Sequence, residues 1–189
     1  MITWKKSQKK TVYLGTITLY TLRQKSVSEY FSEKGLEYFV PMHYVDVEDR
    51  EHHVRHVLRP VVHNLIFVKK TMSEKQMRTI VTEAPYKMSV IRKSRENPEY
   101  YEIPAKQMDE FMLMCNPEIE MRKYLTESEA KIKKGTPVFV KFGPMKGLTG
   151  KLVRSSKKYY LLKEVPGMAV MLKVSRWCCI PIEEQNSPQ

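Results

Sequence analysis

The stretch Lys134 to Gly150, KGTPVFVKFGPMKGLTG, decides the fold of the carboxy-terminal third of the chain. Val138, Val140 and Phe142 alternate with Phe139 and Lys141, the two-residue period of a strand with apolar groups on both faces. Gly143, Pro144, Gly147 and Gly150 then punctuate tight turns, where glycine supplies positive φ or a close backbone approach and proline pre-sets φ. Lys146 projects from this rigid loop. The pattern Gly-x-x-x-x-Gly-Lys-Ser/Thr is absent and no helical period follows, so the loop is not a P-loop. Further along, Lys151 to Arg154, Tyr159 to Lys163 and Met168 to Lys173 are short strands, and strands at this spacing predict a small β-barrel over residues 134–183 with a tail at 184–189. Between Lys131 and Lys163 stand ten Lys or Arg and no acid. Such a surface can neutralise phosphates, and Tyr159 and Tyr160 offer rings for stacking on unpaired bases. A solvated barrel rim is the plainer alternative for any single lysine. Trp177 with Cys178 and Cys179 reads as an apolar strand with buried, inert thiols.

Upstream, the texture is mixed α and β. Residues 1–10 read as a disordered basic leader. Thr11 to Thr18 is β-branched and aromatic, a strand. Residues 20–34 carry Val27, Tyr30 and Phe31 at helical spacing, closed by Gly35. Leu36 to Val45 is strand-like, with Pro41 favouring an edge or a bulge. Residues 46–58 are polar and rich in His and read as an exposed loop or hairpin tip; Val61 to Lys69 is a strand. Ser73 and Gln76 form a capping box that starts a second helix. Short strands follow at Lys87 to Arg92 and Tyr100 to Ile103. Pro104 opens a third helix, with Met108, Phe111, Met112 and Cys115 on one face, and Asn116-Pro117 stops it. This is a β-α-β-β-α-β-type module over residues 11–116. Residues 117–133 are charged and aperiodic and read as a linker, partly helical.

Composition narrows the function. The 189 residues carry 33 Lys and Arg against 21 Asp and Glu, a net charge of +12, which favours an anionic partner: nucleic acid, or less often an acidic membrane or protein. Three cysteines, two of them adjacent, do not make a disulfide framework and suit a reducing cytoplasm. No apolar run reaches the roughly 20 residues of a membrane span, so no membrane contact is expected. His52, His53 and His56 could hold a metal on a helix, but in this polar loop a solvated, titratable cluster is the better expectation, and no metal or cofactor is predicted. No catalytic motif is found: neither Gly-x-Ser-x-Gly nor His-Glu-x-x-His occurs. A binding protein, not an enzyme, is expected.

Two segments point to one family. Lys134 to Gly150 resembles the KOW motif. Gly35 to Pro41 (GLEYFVP), followed by Arg59 to Val68 (RPVVHNLIFV), resembles the amino-terminal (NGN) domain of NusG-type transcription factors. The likeness runs from about Thr11 to Ile182. In that family pattern Val62 and Leu65 stand where aromatics are usual, and His63 replaces proline; the HNLIFV form is similar to the specialised RfaH- and UpxY-type members.

The resemblance implies an α+β chain, a ferredoxin-like NGN domain followed by an SH3-like KOW barrel. It implies a transcription elongation or antitermination factor without chemistry of its own, cytoplasmic, nucleoid-associated during transcription, and monomeric. The NGN domain would bind the clamp helices of RNA polymerase through an apolar pocket, for which Tyr13, Leu14, Val62, Leu65 and Phe67 are the candidates. Arg23, Lys25, His52, His53, Arg55 and Arg78 are the candidate nucleic-acid contacts, to non-template DNA or nascent RNA. Gly143, Pro144, Lys146, Gly147, Lys157 and Lys158 are the candidate KOW contacts to a second partner: Rho, ribosomal protein S10 or RNA. The specialised pattern points to one or a few long operons, such as capsular polysaccharide loci. General housekeeping NusG activity and a KOW-type ribosomal or RNA-binding structural protein are the alternatives.

Overall fold

Strand β1 (Tyr13–Leu19) is the spine of an antiparallel sheet. It pairs with β5 (Leu65–Lys69) on one side and with β6 (Met88–Val90) and β7 (Glu102–Ile103) on the other; β2 (Tyr38–Phe39) joins the far edge of β5. The computed structural model describes residues 13–94 and 96–182, so the expected leader at 1–10 and tail at 184–189 lie outside the described residues. Strand β5 is an unbroken apolar run because both its faces are covered. Ile66 and Val68 face α1 (Gln24–Glu33) and α2 (Glu74–Glu83), packing with Val27, Phe31 and Met77. Leu65 and Phe67 point the other way, towards α3 (Ala105–Met114), and pack with Met108, Phe111 and Met114.

Local signals set the boundaries. The Ser73 Oγ accepts the Gln76 amide at 3.4 Å, and the Gln76 Oε1 accepts the Ser73 amide at 3.0 Å, the capping box expected for α2. Helix α1 starts later than its periodicity predicts, because the Arg23 amide is turned onto the Thr21 hydroxyl, 3.2 Å away. Pro41 divides the expected strand 36–45 into β2 and β3 (Met42–Glu48). Strand β3 pairs with β4 (Val54–Pro60) from Met42↔Pro60 to Glu48↔Val54, so the polar stretch 46–58 is a protruding two-stranded hairpin.

The second sheet runs β13-β9-β10-β11-β12-β8, all antiparallel. Its strands are β8 (Arg122–Thr126), β9 (Thr136–Val140), β10 (Thr149–Ser155), β11 (Lys158–Val165), β12 (Met168–Lys173) and β13 (Cys179–Pro181). Residues 117–133, read above as a linker, contribute β8 to this sheet and then α4 (Glu127–Lys131), capped by Thr126 and Glu129. Strand alternation sends Leu161, Val165, Met168, Val170 and Leu172 towards α3, and Tyr160, Leu162, Ala169 and Met171 towards Ala130 of α4. Helix α3 is thus common to both halves, and Leu65, Phe67, Phe111 and the inner face of the second sheet form one continuous core.

Candidate functional site

The expected apolar site is occupied by the chain itself. Leu65 is 5% exposed, Phe67 is fully buried, and Val62 packs partly buried against the same core. The rings of Phe67 and Phe111 lie 5.4 Å apart, and Phe39 flanks Phe67 at 6.2 Å. Over them sits the β11–β12 turn. Gly167 holds a φ of 91° there, and a Cβ at this position would meet Leu65 Cδ1 at 3.0 Å, so the seat accepts little beyond glycine. Strand β1 carries Tyr13 and Leu14 into register with β5 and β7, but their side chains lie outside the described residues.

Polar groups fix this contact at a few points. The Thr16 hydroxyl donates to the Pro166 carbonyl at 2.7 Å, and the Gln107 amide donates to the Glu164 carbonyl at 2.7 Å. Lys163 lies between Leu161 and Val165 on the apolar face of β11, so its ammonium enters the core and needs a partner there. Glu110 of α3 supplies it: the Lys163 Nζ pairs with Glu110 Oε2 and also donates to the Thr149 carbonyl at 3.1 Å, while the Thr149 hydroxyl donates to Glu110 at 2.8 Å. Both charged side chains are nearly buried. Removing one partner of such a pair costs about 3–5 kcal/mol, because the other charge stays in the core. Close by, burial pushes the Cys115 thiol up to about 12, against weaker opposing effects of the Tyr124 hydroxyl and Arg122.

The candidate nucleic-acid contacts are dispersed. Arg23 opens α1, Lys25 on α1 lies 3.9 Å from Glu29, and Arg78 is exposed on α2. His52, His53 and Arg55 lie at the β3–β4 hairpin, where each meets a carboxylate: His52 pairs with Glu48, His53 lies 3.6 Å from Glu51, and Arg55 lies 3.2 Å from Asp49. His56 pairs with Asp46. Each histidine of the cluster therefore faces an acid, and among the described residues no group of three His, Cys, Asp or Glu is placed to hold a metal.

The candidate KOW contacts separate into two places. Gly143 and Gly147 have φ of 86° and 96° and close the β9–β10 loop, with the Gly147 amide donating to the Val140 carbonyl at 2.9 Å; Lys146 is exposed on it. Lys157 and Lys158 belong to the β10–β11 turn, at the opposite end of the seven-residue β10. Tyr160 is buried against α4, which leaves Tyr159 as the accessible ring. Trp177 is the larger departure from expectation. It is not in an apolar strand but on a 3-10 turn, Arg176–Cys178, and is 92% exposed; Cys178 and Cys179 are only half-buried. The Glu110–Lys163 pair was also missed. Its one sequence signal is a lysine at an inward position of an otherwise apolar strand.

Residues 16–112 match the family model described as "Transcription termination factor nusG", more than half of the chain. The chain belongs to the NusG family. NusG-family proteins are transcription factors that bind RNA polymerase and are not enzymes. A search of curated proteins returned no match. The NusG match contains Leu65, Phe67 and Glu110, whereas Lys163, the partner of Glu110, lies beyond it. No helix among the described residues is long and apolar enough to cross a membrane.

Proposed function

We propose that this NusG-family chain is a specialised, operon-specific elongation or antitermination factor of the RfaH/UpxY kind, working in the cytoplasm on the transcribed nucleoid. Its division of labour is an NGN domain over 11–116 that binds the polymerase clamp helices and an SH3-like KOW module over 134–183, extended by β8 and α4 of the preceding segment, that recruits a second partner: RNA, Rho or ribosomal protein S10. The observation that carries this reading is the NusG match over 16–112, which takes in the apolar face of Leu65 and Phe67. An apolar face of this kind suits the tip of a helical hairpin, with Val62 packed against it and with Tyr13 and Leu14 kept as further proposed contacts. The second sheet covers that face, so clamp binding requires the sheet to lift and the Glu110–Lys163 pair to part. Arg23, Lys25, His52, His53, Arg55 and Arg78 remain the proposed contacts to the non-template strand, the hairpin members first exchanging a carboxylate for a phosphate.

Affinity purification of the tagged chain from its own cells, with mapping of occupied loci, tests the reading. Co-purification of RNA polymerase and occupancy confined to one or a few long operons is the expected result. Occupancy across all transcribed genes would replace it with general NusG activity. Recovery with ribosomes and without polymerase would leave the KOW-type ribosomal alternative.

A further inference from the structure

The second sheet holds an aromatic and basic groove around Trp177 and Tyr159, on the side of β10 and β11 that also carries Leu152 and Leu161. Trp177 stands out into solvent, yet the turn that carries it is pinned: the Val174 amide donates to the Tyr159 carbonyl at 3.0 Å, the Cys178 amide to the Ser175 carbonyl at 3.1 Å, and the Lys141 amide to the Cys178 carbonyl at 2.7 Å. The backbone that carries the ring is thus fixed before any ligand arrives, so it adds little to the ordering cost of binding. A cavity of about 890 Å³ separates the ring from Tyr159 and is bordered by the hydroxyl-bearing Thr136 and Ser175.

The charges around Tyr159 point to an anion. Arg154 and Arg176 both lie over its ring, each guanidinium carbon 5.9 Å from the centroid. Two cations share one ring, and no salt bridge involves either arginine among the described residues. The next turn places Ser156 and Lys157 at φ of 48° and 62°, a conformation that asparagine and glycine adopt most readily. Holding a lysine there is an outlier of the kind that gathers at functional positions. Lys134 borders a second hollow that continues past Arg154. From residue 130 to 182 the single acid is Glu164, which lies 3.0 Å from Lys151 towards the other end of β10.

We propose that this groove binds single-stranded RNA, with one base stacked on Trp177, a neighbouring base or sugar on Tyr159, and phosphates held by Arg154, Arg176 and Lys157. Exposed rings favour a strand with unpaired bases, since a duplex offers no free base face. Thr136 and Ser175 line the cavity and offer hydroxyls to a ribose 2′-OH, a group that DNA lacks. The inference deepens the recruiting role proposed above and rests on that reading for its context, not for its geometry.

Fluorescence anisotropy of the full chain with a labelled oligouridine RNA tests it, with clamp-helix binding measured on the same preparations. Trp177→Ala should weaken RNA binding about 5- to 100-fold, as expected for loss of one base stack, and Trp177→Phe should restore part of it. Trp177 is so exposed that neither change disturbs the core. The double change Arg154→Gln and Arg176→Gln should lower the salt dependence of log K by roughly 1 to 2. An oligothymidine DNA should bind more weakly than the RNA. Unaltered RNA affinity in Trp177→Ala, equal affinity for DNA, salt-independent binding or no binding would each overturn the proposal in favour of a protein partner or none. Because clamp binding is read separately, loss of the RNA result leaves the polymerase reading intact, and the reverse.

Discussion

At the scale of single residues, Glu110 and Lys163 matter most. They are 53 positions apart in sequence, yet their charges meet within the apolar layer between α3 and β11. Glu110→Ala and Lys163→Ala should each destabilise the chain by about 3–5 kcal/mol in urea unfolding, because each strands the other charge. The paired change Glu110→Leu with Lys163→Met should be nearly neutral or stabilising, since it replaces an ion pair with packing of similar volume. If the single changes cost under about 1 kcal/mol, the surface value, the pair is solvated. The three folded variants also rank the grip of the second sheet: clamp-helix affinity should be greater for the single changes and smaller for the paired one than for the parent.

The elements show which parts of the sequence were readable. The first sheet, α1, α2 and α3, and strands β9 to β12 follow from apolar periodicity, the Ser73 capping box and the glycine-marked turns. Strand β8 was not readable. Its Arg122-Lys123-Tyr124-Leu125-Thr126 lacks an apolar face of its own and becomes a strand by pairing with β12. Trp177 was misread for the converse reason: neighbouring apolar residues suggested a strand, whereas the chain turns at Ser175 and carries the ring outward. The covering of Leu65 and Phe67 was invisible because it depends on how two sheets meet, not on either one's pattern. Helix α4 also ties the covering turn in place. The Glu127 carboxyl is held below its ordinary value of 4.5, first by its hydrogen bond from Lys131 and then by the Gly167 amide at 3.1 Å. A carboxyl whose value is depressed on folding adds stability that is present above the unfolded value and is lost as pH falls through the folded one. The Gly167 amide resonance should therefore shift as the pH is lowered through and below 4.5, and Glu127→Gln should abolish that titration.

For the molecule as a whole, the proposed function gives one apolar face two claimants, the second sheet and the clamp helices. If the uncovered form makes up about 1% of molecules, the apparent clamp affinity is weakened about a hundredfold. Cys115, inside the shared core with its thiol pushed up to about 12, reports on this equilibrium. At pH 8, Ellman's reagent should react with the half-buried Cys178 and Cys179 while Cys115 stays protected; added clamp-helix fragment should make a third thiol reactive. Protection of Cys115 at saturating fragment would mean that the fragment binds elsewhere.

The pairing of β8 with β12 has a further mechanical consequence. When the second sheet lifts, β8 and α4 travel with it, and the segment left to span the gap is Asn116–Met121. Six residues reach at most roughly 20 Å when fully drawn out. The departing half is therefore on a short leash. A transcript held on Trp177 and Tyr159 would stay beside the polymerase at an effective concentration on the order of millimolar, and recapture of a released strand would outpace its escape.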